Sequence, residues 1–136
     1  MKTFRIFTML TLTFVMIAAT AMAQAPEKIS FHALFDFAVA GKTLPAGNYT
    51  IRPLSPSRLL IRSDDGHEAV IASTFAARAR KTPNQTQLIF TRYGDQYFLY
   101  QVFVPGSDTG RELPRSHVEV QIARTVTPER VSVTGH

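Results

Sequence analysis

Acid–base or metal chemistry in this chain of 136 residues would have to come from four histidines and ten acidic side chains, because it contains no cysteine. His32, His67, His117 and His136 stand far apart in the sequence. None falls in the His-x-His or His-Glu-x-x-His spacing that sets two imidazoles on one face of a strand or helix for zinc. His32 and Asp36 share a face of an alternating segment, but a separation of four strand residues is about 13 Å, beyond contact. Without cysteine there is no thiolate nucleophile, no disulfide framework and no lipid-anchoring thiol. No Gly-x-Ser-x-Gly elbow and no phosphate-cradling glycine loop occurs. A hydrolase made from this chain would have to assemble Asp36, Asp108, Glu112 and the histidines from dispersed segments, and it stands as the alternative to a non-catalytic role. No cofactor and no metal is expected.

One triplet needs separate treatment. Asp108-Thr109-Gly110 resembles the active-site triplet of the aspartic proteases, in which two such aspartates share a proton across a lobe or dimer axis. That family sets apolar residues before its triplet. Here Gly106 and Ser107 precede it and Arg111 follows, the composition of a surface turn.

The chain begins with a positive head, Lys2 and Arg5, then an apolar run from Ile6 to Ala21 and a small-x-small site, Ala21-Met22-Ala23. This is the pattern of a signal peptide over residues 1–23, cleaved between Ala23 and Gln24, and it predicts a secreted or periplasmic protein. The apolar run is shorter than the roughly 20 residues that cross a bilayer, so no transmembrane anchor is expected after cleavage. Residues 24–136 then form a single β-rich domain. Of the formal charge of +5, Lys2 and Arg5 leave with the leader, and the remaining +3 is too mild to imply specific nucleic-acid binding. The basic residues gather at Arg58 and Arg62 and again at Arg78, Arg80 and Lys81. If "TFAARARK" is extended, Arg78 and Arg80 share a face and suit an anionic surface such as lipopolysaccharide or a sugar acid.

The elements that must position these residues read as strands. In "ISFHALFDFAVAG" the apolar Ile29, Phe31, Ala33, Phe35, Phe37 and Val39 alternate against Ser30, His32 and Asp36, predicting a half-buried first strand. "LPAG" then makes a turn: Pro45 fixes φ and Gly47 is free to take φ > 0, with Leu44 packing beneath and Tyr49 and Ile51 resuming the alternation. The stretch "FDFAVAGKTLPAGNYTI" is similar to a signature of small exported bacterial proteins of uncharacterised function. Its turn is also similar to those that lead into strands of prealbumin-like β-sandwich domains. The resemblance implies export and carries no activity.

"RLLIRSDDGHEAVIAS" centres on Asp65-Gly66, a type I′ hairpin signal that pairs Ile61 with Val70 and Leu59 with Ala72. "QLIFTRYGDQYFLYQVFV" centres on Gly94-Asp95 and pairs Phe90 with Leu99 and Ile89 with Tyr100. That register puts Phe90, Leu99 and Phe103 on one face and Ile89, Phe98, Tyr100 and Val102 on the other, so both faces need cover. Ser116 and Glu119 have capping-box spacing and Pro128 a stop position, which predicts a helix over Ser116–Arg124 to supply that cover, against the strand alternation of Val118, Val120 and Ile122. The expected architecture is mainly β: an antiparallel barrel or sandwich of about seven strands with one short C-terminal helix. Tyrosines and arginines are enriched where proteins meet partners. Arg62, Arg78, Arg92, Tyr93 and Tyr97 are therefore the candidate contacts of an exported, non-catalytic module that binds an envelope partner or an anionic surface, or serves a structural role.

Overall fold

The computed structural model describes residues 28–136, so the signal peptide expected over 1–23 lies outside the described residues. The chain forms β1 (Ile29–Ala33), β2 (Phe37–Val39), β3 (Lys42–Leu44), β4 (Gly47–Ser55), β5 (Arg58–Ser63) and β6 (Ala69–Ser73). There follow β7 (Phe75–Arg78), β8 (Gln87–Tyr93), β9 (Gln96–Phe103), β10 (Thr109–Glu112), α1 (His117–Ala123) and β11 (Glu129–Thr134). One sheet has the order β1-β4-β5-β6; the other runs β11-β8-β9-β10-β7, with β2 parallel to β9 and β3 paired to β2. The fold is thus mainly β with one short helix near the C-terminus, and its two sheets are not closed into a barrel. A shared core fills the space between them, with Phe31, Ile51 and Ile61 from one sheet against Phe37, Phe90 and Leu99 from the other.

Among the described residues there are eleven strands against the expected seven: β3, β7 and β10 are short additions, and the fourth comes from a split. The segment read as one first strand is two, β1 and β2, in different sheets. The break falls at Leu34, which is 82% exposed, while Phe31, Ala33, Phe37 and Val39 on either side are all buried. Inner faces of both sheets look into one core, so a strand that crosses from one sheet to the other keeps its alternation in phase. Periodicity alone does not register the crossing.

Leu-Pro-Ala-Gly-x-Tyr is the return crossing, from β3 back to β4. Leu44 is fully buried, and Gly47 takes φ 154°, a backbone region that suits glycine. Tyr49 is 1% exposed, and its hydroxyl donates back to the Pro45 carbonyl, clasping the turn as the tyrosine corner of other sandwiches does. Asp36, in the first crossing, accepts from the Ala46 amide at 2.9 Å, so the two crossings are tied together. The β2–β3 hairpin turns on Ala40 and Gly41 at φ 52° and 78°, both left-handed as a type I′ turn requires.

Both later hairpins form, each with a difference. Ile61 faces Val70 and Leu59 faces Ala72, as the sequence predicts. The loop is wider than a type I′ turn, because only Gly66 takes positive φ. Asp65 accepts from the Ser63 hydroxyl at 2.6 Å and the His67 amide at 2.9 Å instead. In the β8–β9 hairpin Phe90 faces Leu99, but Ile89 faces Gln101, not Tyr100. A bulge at Tyr100 inserts one residue and swaps the faces beyond it. Val102 therefore joins Phe90 and Leu99 in the core, and Phe103 turns to the outer face, where its ring lies against Gly110; a Cβ on that glycine would sit 2.3 Å from Phe103 Cδ1.

The helix forms where its cap predicts: the Ser116 hydroxyl accepts from the Glu119 amide at 3.2 Å. It docks through Glu119, 6% exposed, while Val118 and Val120 remain 56% and 40% exposed. The helix consequently covers only one end of the outer face of β8 and β9. Among the described residues, no helix is long and apolar enough to cross a membrane.

Candidate functional site

The residues singled out for partner contact do not gather into one patch. Arg62 lies on the outer face of the first sheet, in a depression of about 370 Å³ shared with Lys28, Arg52 and Asp64. Arg92 and Tyr97 belong to the β8–β9 turn. The Arg92 guanidinium sits 5.6 Å from the Tyr97 ring centroid, and its Nε donates to the Gly94 carbonyl at 2.7 Å. Tyr97 stacks on Phe35 at 3.7 Å between centroids. Tyr93 is 2% exposed under the helix, where its hydroxyl donates to Glu119 Oε2 at 2.9 Å. Burial and that carboxylate push its phenol above the ordinary range.

The dispersed acids and histidines have separate partners. His32 Nδ1 is 2.7 Å from Asn48 Oδ1, Asp36 caps Ala46, Glu112 accepts from Gln101 at 2.7 Å, and Asp108 is exposed at the start of β10. Among the described residues no three of His, Asp and Glu are placed to hold a metal ion.

Arg78 is the exception that leads to a site. With Arg80, Lys81 and Arg130 it lines a groove of about 490 Å³ on the outer face of the second sheet, with Tyr100 and Phe103 among the floor residues. Among the described residues no acid lines this groove, Glu112 lying behind it on Tyr100 and Gln101, and none of the four cations has a carboxylate within 4.0 Å. The first-sheet depression is weaker in this respect, since Asp64 shares it.

The members arrive by two structural routes. β7 ends at Arg78, and the chain bends so that Arg80 and Lys81 follow it along one rim. Arg130 comes from β11, which pairs with β8 and sets Arg130 opposite Thr91. Its Nη1 donates to the Thr91 hydroxyl, and its guanidinium lies 3.9 Å from the centroid of the Tyr100 ring, within cation–π range. Tyr100 lies on this face beside Leu99 of the core, and Phe103 reaches it because of the bulge. Burial, then its hydrogen bond to Glu112, raises its phenol, so the hydroxyl stays protonated at neutral pH. The arrangement offers positive charge and an aromatic face; it displays no nucleophile with a base beside it.

Arg80 and Lys81 were visible as a basic run, whereas Arg130 carried no signal, because its neighbourhood depends on the pairing of β11 with β8. Comparison with known proteins gives no matching family model, no matching curated protein and no matching solved structure.

Proposed function

We propose that this protein is an exported, non-catalytic β domain that binds an anionic envelope glycan, a phosphorylated or uronic-acid saccharide, in the groove of Arg78, Arg80, Lys81 and Arg130. The observation that carries this reading is the convergence of four cations on a groove that, among the described residues, no acid lines. Surface cations dispersed for solubility are interspersed with acids. These are collected from two segments, 78–81 and β11, around a tyrosine face, and aromatic rings beside cations suit a ligand with an apolar sugar face and a negative substituent. The leader pattern of residues 1–23 and the likeness of Phe31–Ile51 to small exported bacterial proteins support the location.

The test is titration calorimetry with polygalacturonate and with lipopolysaccharide micelles, against neutral dextran. Both anionic probes should bind and dextran should not. The combined variant R80Q/R130Q should lose about tenfold or more in affinity, as loss of two charge-assisted contacts implies. Binding should also weaken with salt as the screening length shortens. Equal binding of dextran, or an unchanged affinity in the double variant, would sink the reading. Turnover of ester or peptide substrates that vanishes in Asp108→Ala would favour the hydrolase instead.

A further inference from the structure

We infer that the outer edge of β6 is a self-association site, where a second copy of this chain adds its own β6 in antiparallel register about Ile71. Three observations converge on it.

The first is that, among the described residues, the middle of this edge and that of β7, which continues it into the other sheet, are the ones left unguarded. At the far side of its sheet, β1 is tied to the C-terminus by reciprocal backbone bonds between Ser30 and His136, at 3.0 and 2.8 Å. In the other sheet, β11 carries Glu129 and Arg130, and β3 carries Lys42, paired to Glu68 at 3.1 Å. From Ala69 to Ala77, through β6 and into β7, there is no charge and no proline. Soluble proteins ordinarily protect an exposed strand edge with such residues, and an edge without them is a template for another strand.

The second is the direction of the backbone groups. Ser63 N donates to Glu68 O at 2.9 Å and Thr74 N to Ser57 O at 2.8 Å, on either side of β6. Hydrogen-bonded pairs alternate along an antiparallel ladder, so Val70 and Ala72 bond to β5 while the N–H and C=O of Ala69, Ile71 and Ser73 look outward. Lys42 Nζ reaches the Ala69 carbonyl at 3.4 Å. Among the described residues Ile71 and Ser73 have no such donor or acceptor.

The third is self-complementarity. A two-fold axis at Ile71 sets Ile71 opposite Ile71, Val70 opposite Ala72, and Ala69 opposite Ser73. The outward groups of Ile71 then exchange bonds, and the half-exposed Ile71 side chains, 56% exposed in one chain, cover each other. A strand without charges meets its own copy without like-charge repulsion and gives a charged partner nothing to select.

The chain's lack of cysteine makes a clean test. Directly opposed residues of a hydrogen-bonded pair lie about 5.5 Å apart at Cα, inside the disulfide range of about 4.4–6.8 Å. In the purified protein, Ile71→Cys should cross-link to a dimer at least about tenfold faster than Leu54→Cys, whose position on the same sheet is 51% exposed. Sedimentation equilibrium of the wild type near 100 μM, about the strength of a small interface, should show a dimer that survives about 1 M salt. Ile71→Lys should weaken it about tenfold or more by facing two ammonium groups across the axis. A wild type that stays monomeric, a dimer indifferent to Ile71→Lys, or cross-linking no faster at Ile71 than at Leu54 would each overturn the inference. A monomer that captures a different extended chain on this edge would also overturn it.

Discussion

Replacing Tyr49 by phenylalanine tests whether Leu-Pro-Ala-Gly-x-Tyr is a structural clasp or a ligand site. The ring is 1% exposed, 5.1 Å from Phe37 and 5.7 Å from Phe31 between centroids, and phenylalanine keeps those contacts. What goes is one hydrogen bond, from the hydroxyl to the Pro45 carbonyl. Such a bond contributes about 0.5–1.5 kcal/mol net. Pro45 is exposed, so water can take over its carbonyl, and the cost settles near 1 kcal/mol. For a domain of this size that lowers Tm by about 4 °C. Tyr49→Ala removes the ring too and should cost about 3–5 kcal/mol. Asp36→Ala removes the tie to Ala46 and should cost about 1 kcal/mol. Urea unfolding at constant m-value measures all three, with glycan affinity measured on the folded proteins. A Tyr49→Phe variant of wild-type stability that no longer binds would refute the clasp and make the motif a site.

Ala40→Gly should stabilise the protein by about 0.5–1 kcal/mol in the same assay. It relieves an alanine held at φ 52°, a strain of about 1–2 kcal/mol, less the extra freedom glycine gives the unfolded chain. Alkali should be destabilising. The phenols of Tyr49, Tyr93 and Tyr100 are raised above 10.0, chiefly by burial. A raised folded pKa contributes stability that is complete below pH 10.0 and is lost as pH climbs through the folded values. The urea midpoint should therefore fall above about pH 10, and Tyr93→Phe should flatten that fall. A midpoint indifferent to alkali would mean that the hydroxyls ionise as freely in the folded chain as in the unfolded one.

What the sequence reveals here is local. The alternation of Phe31, Phe37, Tyr49 and Ile61 identifies core positions, Asp65-Gly66 sets a register, and Ser116 with Glu119 marks a helix start. Each rests on neighbours within a few residues. The crossing at Leu34 is hidden because two inner faces share one phase. The bulge at Tyr100 is hidden because an extra residue in a strand rich in large side chains leaves no mark on composition. Tyr93 reads as a surface tyrosine until α1 is placed over it.

The groove follows from those hidden features. A hairpin with apolar residues on both faces needs a second cover, and α1, docked by Glu119 onto Tyr93, supplies it at one end only. Past the bulge, Ile89, Tyr100 and Phe103 lie beyond the reach of the helix and are flanked by Arg78, Arg80, Lys81 and Arg130. If that face served solubility alone, acids among the cations would serve it as well and would cost less in mutual repulsion. Four positive charges kept together repel one another, and on the proposed reading an anionic ligand would offset that repulsion.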